Sequence, residues 1–198
     1  MKEYKINEIF YSLQGEGYNT GTASVFIRFS GCNLQCGFCD TRHEEGSFMT
    51  IDHIVAQVMK YPRSPLIVLT GGEPSLFIDE AFIDTLKSAI HMKIAVETNG
   101  THHLPEGIDW ITLSPKQGLQ GGDTHPCVVT QCDELKVVYL GQDLEQYRHI
   151  KARHRYLQPC FVDDDEQCNR NKLACVKAVL DNPEWKLSLQ VHRVLNIP

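Results

Sequence analysis

The sequence predicts an α/β fold on a parallel sheet that stays open: a partial, TIM-like barrel of (β/α)6 type, formed by one domain over residues 1–198. Two observations carry this. Short β-branched apolar runs alternate with segments of helical spacing, and helix alternating with strand makes parallel neighbours. The count also falls short of eight full βα units, which favours an open partial barrel over a closed one or a doubly wound sheet. A chain of 198 residues with 42% hydrophobic content can bury one substantial core and is short for two.

Taken in order, VFIRF (25–29), LIVL (66–69), IAVE (94–97), WITL (110–113), LKVVYL (135–140), RYLQ (155–158) and LSLQV (187–191) read as strands. Helical spacing marks residues 51–61, 79–90, 143–153 and 169–180. Right-handed crossovers would set these helices on the convex face. No fixed-period repeat, low-complexity segment or linker interrupts the pattern. The Gly-rich polar stretch Gln117 to His125 is expected to form a mobile loop over one end, and the run DDDE (163–166) a solvated loop ahead of a helix.

Composition narrows the function. A formal net charge of -6 argues against a grip on polyanions, so nucleic acid is not an expected partner. The N-terminal MKEYKINEIF has no signal-peptide apolar run, and no window approaches the roughly 18 uninterrupted apolar residues of a membrane helix. No membrane partner is expected, and the expected location is the cytoplasm. In that reducing compartment eight cysteines point to metal ligation or catalysis before disulfides.

Only Cys32, Cys36 and Cys39 lie close together, as C-x3-C-x2-C in the glycine-bearing loop SGCNLQCGFCDT directly after the first strand run. Such a loop can bring three thiolates onto one four-iron cluster, leaving one iron open to an exogenous ligand. A Cys3His zinc site completed by His43, or three core thiols, are the competing readings. Cys127, Cys132, Cys160, Cys168 and Cys175 are scattered and read as buried apolar thiols, with no second cluster.

Further polar groups fall at strand ends, where parallel α/β enzymes bind ligands. TGGEP (70–74) offers glycines for close backbone approach, and Glu73 as acceptor for an ammonium group. ETNG (97–100) supplies Glu97, Asn99 and Gly100, suited to a ribose, and SPK (114–116) supplies Ser114 and Lys116, suited to a ribose or carboxylate. Each is equally readable alone as a strand cap. Gln158 and Pro159 close a later strand. In LQGEG (13–17), Gln14 and Glu16 offer acceptors, and Arg28 on VFIRF needs either a bound carboxylate or a neighbouring acid.

The cysteine spacing together with GGE closely resembles the radical S-adenosylmethionine superfamily. FYSLQGEGYNTG (10–21), FIRFSGCNLQCGFCDT (26–41), TGGEP, ETNG and SPK, in that order over nearly the whole chain, resemble the 7-carboxy-7-deazaguanine synthase family. The resemblance implies conversion of 6-carboxy-5,6,7,8-tetrahydropterin into 7-carboxy-7-deazaguanine with loss of ammonia, in queuosine and 7-deazapurine biosynthesis. It implies a 4Fe-4S cluster on Cys32, Cys36 and Cys39, S-adenosylmethionine and Mg2+. It further implies cofactor contacts at Phe38, Cys39, Asp40, Gly72, Glu73, Glu97, Asn99, Gly100, Ser114, Pro115, Lys116 and Gln158. By the same resemblance Leu13, Gln14, Gly15, Glu16, Arg28, Thr98, His192 and Pro198 meet the carboxypterin, and Thr41 meets magnesium. The apolar ending QVHRVLNIP is expected to tuck in, with His192 on a strand. An external, flavodoxin-like one-electron donor and a homodimer are implied as partners. Activation of a glycyl-radical enzyme, or a zinc-stabilised binding module without catalysis, are the alternative functions.

Overall fold

The structure, a computed structural model, describes residues 2–39 and 45–198. Asp40, Thr41 and His43 lie outside them. One nine-stranded sheet runs in the order β3-β1-β2-β4-β5-β6-β7-β8-β9 and does not close on itself. Its parallel part is β2 (Ala23–Phe29), β4 (Leu66–Gly71), β5 (Lys93–Thr98), β6 (Trp110–Leu113), β7 (Gln131–Tyr139), β8 (Lys151–Pro159) and the two-residue β9 (Lys186–Leu187). Antiparallel β1 (Glu3–Leu13) pairs with β2 on one side and with β3 (Ser47–Thr50) on the other. These two antiparallel strands extend the sheet beyond the parallel strands that the sequence suggested.

Period-2 alternation explains which residues do chemistry. Val25, Ile27 and Phe29 of β2, Ile67 and Leu69 of β4, and Ile94 and Val96 of β5 join one core. That core includes Ile54 and Val58 of α1 (Ile51–Val58) and Phe82, Ile83 and Leu86 of α2 (Glu80–Ala89). A second core joins Leu135 and Val137 of β7 and Leu157 of β8 to Tyr147, Ile150, Trp185 and Cys175. Cys175 belongs to α3 (Asp165–Asp181), which Asp164 caps by accepting the Gln167 N–H. The intervening residues, Phe26, Arg28, Thr70, Glu97, Lys136 and Gln158, face the other side of the sheet and line a cavity.

Two expected elements are different. Residues 143–153 form only a 3-10 turn, Leu144–Tyr147, capped by Asp143, and β8 begins at Lys151. The pull of the sheet decides this: β8 pairs with β7 from Lys151 through Pro159, and the Lys151 N–H donates to Thr130 O at 2.8 Å. LSLQV leaves the sheet after Leu187, because Ser188 turns its hydroxyl to Gln158, and α4 (Val191–Leu195) follows. His192 is therefore helical. Helices are also fewer than the alternation implied, since residues 99–109 and 114–130 link β5 to β6 and β6 to β7 without one. The DDDE run likewise enters α3 at Asp165. Among the described residues no helix is long and apolar enough to cross a membrane.

The open side of the sheet is bridged by two segments far apart in sequence. The β1–β2 loop meets the stretch after β9 through Gly17 N–H to Ser188 Oγ (3.0 Å), Val191 N–H to Gly15 O (2.9 Å) and Gln190 Nε2 to Glu16 (2.9 Å). Ser12 Oγ donates to Pro198 O at 2.7 Å, which ties Pro198 to β1, whereas Val194 and Leu195, expected to tuck in with the rest of the apolar ending, are exposed.

Candidate active site

β2 ends at Phe29 and the chain passes straight into the cysteine loop. Cys32, Cys36 and Cys39 stand outside any disulfide and face the cavity. The loop is tied internally by Leu34 N–H to Cys32 Sγ (3.4 Å) and Cys39 N–H to Cys36 O (3.1 Å). Gln35 N–H and Gly37 N–H donate to the carbonyls of Gly121 and Gln120, each at 3.4 Å. The Gln117 to His125 stretch, expected as a mobile cover, is thus strapped to the cysteine loop. Asn33 adds a side-chain tie, donating to Thr101 Oγ1 at 2.8 Å and accepting from Asn99 Nδ2 at 3.1 Å.

At the end of β4, Gly72 packs so closely on Gly31 that a Cβ there would overlap the Gly31 carbonyl oxygen. Its neighbour Glu73 is 1% exposed. The Glu73 carboxylate accepts from Ser75 N–H (3.0 Å), Thr98 Oγ1 (2.6 Å) and Asn99 N–H (2.7 Å). No Lys or Arg forms an ion pair with it among the described residues: its direct donors are neutral, and Lys116 acts on it only through space. At the end of β6, Lys116 Nζ donates to Ser114 O (2.5 Å) and Ser114 Oγ (2.7 Å). Burial pushes the Lys116 ammonium down from its ordinary range, and burial pushes the Cys32 and Cys36 thiols up.

Opposite lies a second charged group. Lys136 of β7 is ion-paired with Glu16 and lies 3.4 Å from Glu97 Oε1. Glu97 also accepts from Gln14 Nε2 (3.1 Å) and Thr70 Oγ1 (2.9 Å). Burial acts to raise the Glu16 carboxyl, yet the Lys136 ammonium outweighs it and holds the group at about 2. Burial likewise acts to lower Lys136, and the carboxylates of Glu16, Glu97 and Glu134 reverse it, leaving the ammonium raised. Beneath the loop, Glu134 accepts the Tyr18 N–H at 2.9 Å, and burial pushes its carboxyl up to about 7.

The cavity between these groups measures about 270 Å³. Of the residues expected at the site, the cavity gathers Cys32, Cys36, Phe38, Cys39, Gly72, Glu73, Glu97, Asn99, Ser114, Lys116 and Gln158. It also gathers Leu13, Gln14, Gly15, Glu16, Arg28, Thr98, His192 and Pro198. Gly100 and Pro115 are not on its wall; Gly100 sits behind it, its N–H held by Thr98 Oγ1 at 3.0 Å. Arg28 meets Glu8 at 2.9 Å and stacks over Phe10, so the neighbouring acid is found. Thr98 spends its hydroxyl proton on Glu73.

The donor set fits an iron-sulfur cluster. Three thiols on one short loop that share one cavity wall suit three corners of a cubane, with the fourth iron left to an exogenous ligand. Of the scattered cysteines, Cys132, Cys160, Cys168 and Cys175 are buried, and the Cys168 thiol donates to Val162 O at 2.9 Å.

Comparison with known proteins bears on this geometry. The radical SAM superfamily model matches residues 26–118. A 7-carboxy-7-deazaguanine synthase of Bacteroides thetaiotaomicron is 55% identical over 98% of both chains. The chain belongs to the 7-carboxy-7-deazaguanine synthase family. Another member, from Nitratidesulfovibrio vulgaris, is 38% identical over 98% of this chain and 99% of its own. The crystal structure of QueE from Escherichia coli superposes with a TM-score of 0.75 at 28% identity, covering 96% of this chain and 95% of that one.

Sequence reasoning missed the polar lining residues Thr70, Lys136 and Gln190 of this family member, along with apolar ones such as Phe10, Phe26, Leu34, Val138 and Phe161. Lys136 and Thr70 share the cavity face by alternation with Val138 and Val68. Gln190 carried no signal, because its position depends on the turn that ends β9.

Proposed function

We propose that this chain is a radical S-adenosylmethionine enzyme that converts 6-carboxy-5,6,7,8-tetrahydropterin into 7-carboxy-7-deazaguanine with release of ammonia, in the making of queuosine and related 7-deazapurines. The observation that carries this reading is one cavity walled on one side by three cysteine thiols and the buried carboxylate of Glu73, and on the other by Gln14, Glu16, Glu97 and Lys136. Family membership at 55% identity supports it across the full length.

Cys32, Cys36 and Cys39 would hold the 4Fe-4S cluster. When bound, the cluster supplies one electron, from an external flavodoxin-like donor, and S-adenosylmethionine supplies the carbon radical that starts the reaction. Glu73 is placed to receive the cofactor's ammonium, since it lacks a cationic partner. Lys116, near Cys36 and held on Ser114, faces the same region with positive charge, matching a carboxylate. Asn99, Phe38 and Gln158 complete that wall, and Gly100 acts through the backbone behind it.

Glu16 and Gln14 meet the N–H edge of the pterin, with Thr98, Gly15 and Leu13 beside it. Arg28, half-exposed and shared with Glu8, receives the substrate carboxylate, and His192 with Pro198 closes the pocket. The chain's contribution is to orient the substrate and exclude water. Thr41 would add a hydroxyl to a magnesium ion whose other ligands are water and substrate oxygens. We read the chain as a single catalytic domain that works as a homodimer in the cytoplasm.

The test is anaerobic reconstitution with iron and sulfide, followed by S-adenosylmethionine, reductant, Mg2+ and the carboxypterin. Mass spectrometry is expected to show the deazaguanine acid. Cofactor cleavage with intact pterin would retain the superfamily and remove the substrate. Cys36→Ala is expected to abolish product, and turnover by that variant would remove the cluster assignment.

A further inference from the structure

We propose that Lys136 is a positioning residue for the substrate half of the cavity: its ammonium ties Glu16, carried by the β1–β2 loop, to Glu97, carried by β5, and so fixes the pair of carboxylates that receives the N–H edge of the pterin. The inference rests on the function proposed above and adds a residue to it.

The geometry shows why such a tie is needed. Glu16 sits on a loop, whereas Glu97 is rooted in the parallel sheet. Lys136 is 5% exposed and bonds to both. Gln190 Nε2 holds the second Glu16 oxygen at 2.9 Å, and Gln14 and Thr70 hold Glu97. A carboxylate offers about four acceptor sites. These bonds use two on Glu16 and three on Glu97, so acceptor capacity remains on two residues that line the cavity. Donor groups of a flat heterocycle match that remainder.

Lys136 on β7 and His192 on α4 hold the Glu16 carboxyl ionised, Glu134 on β7 faces it as a second carboxylate, and Glu97 on β5 shares the Lys136 ammonium. Among the described residues only Lys136 forms an ion pair with Glu16. Without it, burial and the Glu134 carboxylate act to protonate Glu16, which would turn an acceptor into a donor facing the substrate's donors.

The experiment compares wild type, Lys136→Met and the charge-balanced double variant Lys136→Met/Glu134→Gln, all reconstituted anaerobically. The double variant removes the Lys136 ammonium together with the neighbouring Glu134 carboxyl, which is then no longer left to ionise beside Glu16, so it reports even where the single one fails to fold. Both are expected to raise KM for the carboxypterin roughly ten- to hundredfold, with KM for S-adenosylmethionine changed by less than about twofold and cluster absorbance retained. Carboxypterin binding by the cluster-free chain, measured by calorimetry, is expected to weaken in parallel. Between about pH 5 and 8 the variants are expected to gain an acid limb in kcat/KM, which Glu134→Gln alone lacks. An equal rise in both KM values, an unchanged carboxypterin KM, or no new acid limb in the folded variant overturns the proposal. Wild type that turns over no carboxypterin overturns the underlying function instead.

Discussion

Two buried lysines face one cavity and live in opposite electrostatic worlds. Lys116 ends β6, bonds to Ser114, has no carboxylate in ion-pair reach among the described residues, and is pushed down by burial. Lys136 sits one strand away between Glu16 and Glu97, and its ammonium is raised. The difference separates a charge held ready from a charge already spent. A buried cation without an anion costs stability until a ligand supplies one, whereas a buried cation among three carboxylates is part of the fold. Glu73 is the mirror image of Lys116: a buried anion waiting on a cation.

The contrast can be broken most directly by removing each lysine in the cluster-free protein. Lys136→Met is expected to lower unfolding stability by about 3–5 kcal/mol, because it strands paired carboxylates. Lys116→Met is expected to raise it by about 1 kcal/mol, because it removes an uncompensated buried charge. Urea titration measures both, and shifts of the same sign would erase the distinction.

The wall behind Lys116 gives the next effect. Gly100 has φ +79°, and a Cβ there would lie 2.7 Å from Cys127 Sγ and against Leu113. Gly100→Ala is therefore expected to cost about 2–3 kcal/mol by the same titration, combining backbone strain with overpacking.

On the Lys136 side, pH is the probe. The folded Glu134 carboxyl is raised to about 7, so the native state binds a proton that the unfolded chain has already released. Its contribution is intact below the ordinary carboxylate range and is lost as pH rises to about 7. Stability is expected to fall by on the order of 2 kcal/mol over that window, and Glu134→Gln to flatten the decline. Glu16 has the opposite sign: held at about 2, it contributes at neutral pH and loses that contribution as pH drops from the carboxylate range toward 2. The smallest effect belongs to the exposed Arg148–Glu145 pair at 3.1 Å, where Arg148→Ala is expected to change stability by less than about 0.5 kcal/mol.

The Lys116 half of the site was legible in the sequence and the Lys136 half was not. Cys32, Glu73, Asn99 and Lys116 each follow a strand run directly, so local pattern places them on one rim. Lys136 lies inside LKVVYL, where an apolar run conceals that Glu134, Lys136 and Val138 share a face. Its partners lie 120 residues earlier on a loop, Glu16, and 39 residues earlier on β5, Glu97, separations no local pattern encodes. The same physics explains the misread elements. Residues 143–153 have helical spacing, yet eight register pairs with β7 claim Lys151 onward for the sheet. LSLQV alternates like a strand, but the Ser188 hydroxyl is needed at Gln158 and the chain turns. β1, EYKINEIFYSL, was not read as a strand in the sequence: only Tyr4 and Ile6 are buried along it, and its antiparallel pairing with β2 required the third dimension.

The seam that bridges the open side also sets an order of events. Its hydrogen bonds join residues 171, 174 and 186 positions apart, among the longest loops this chain can close. During synthesis the walls built by β2, β4, β5, β6 and β7 can form before this one, because Ser188 and Gln190 emerge after them. Glu16 then waits without Gln190 until the stretch after β9 has been made. In the finished protein the same seam, held by a few hydrogen bonds between a loop and a short helix, is the part expected to open first, so amide exchange at Gly17 and Val191 should outrun that of β4 and β5.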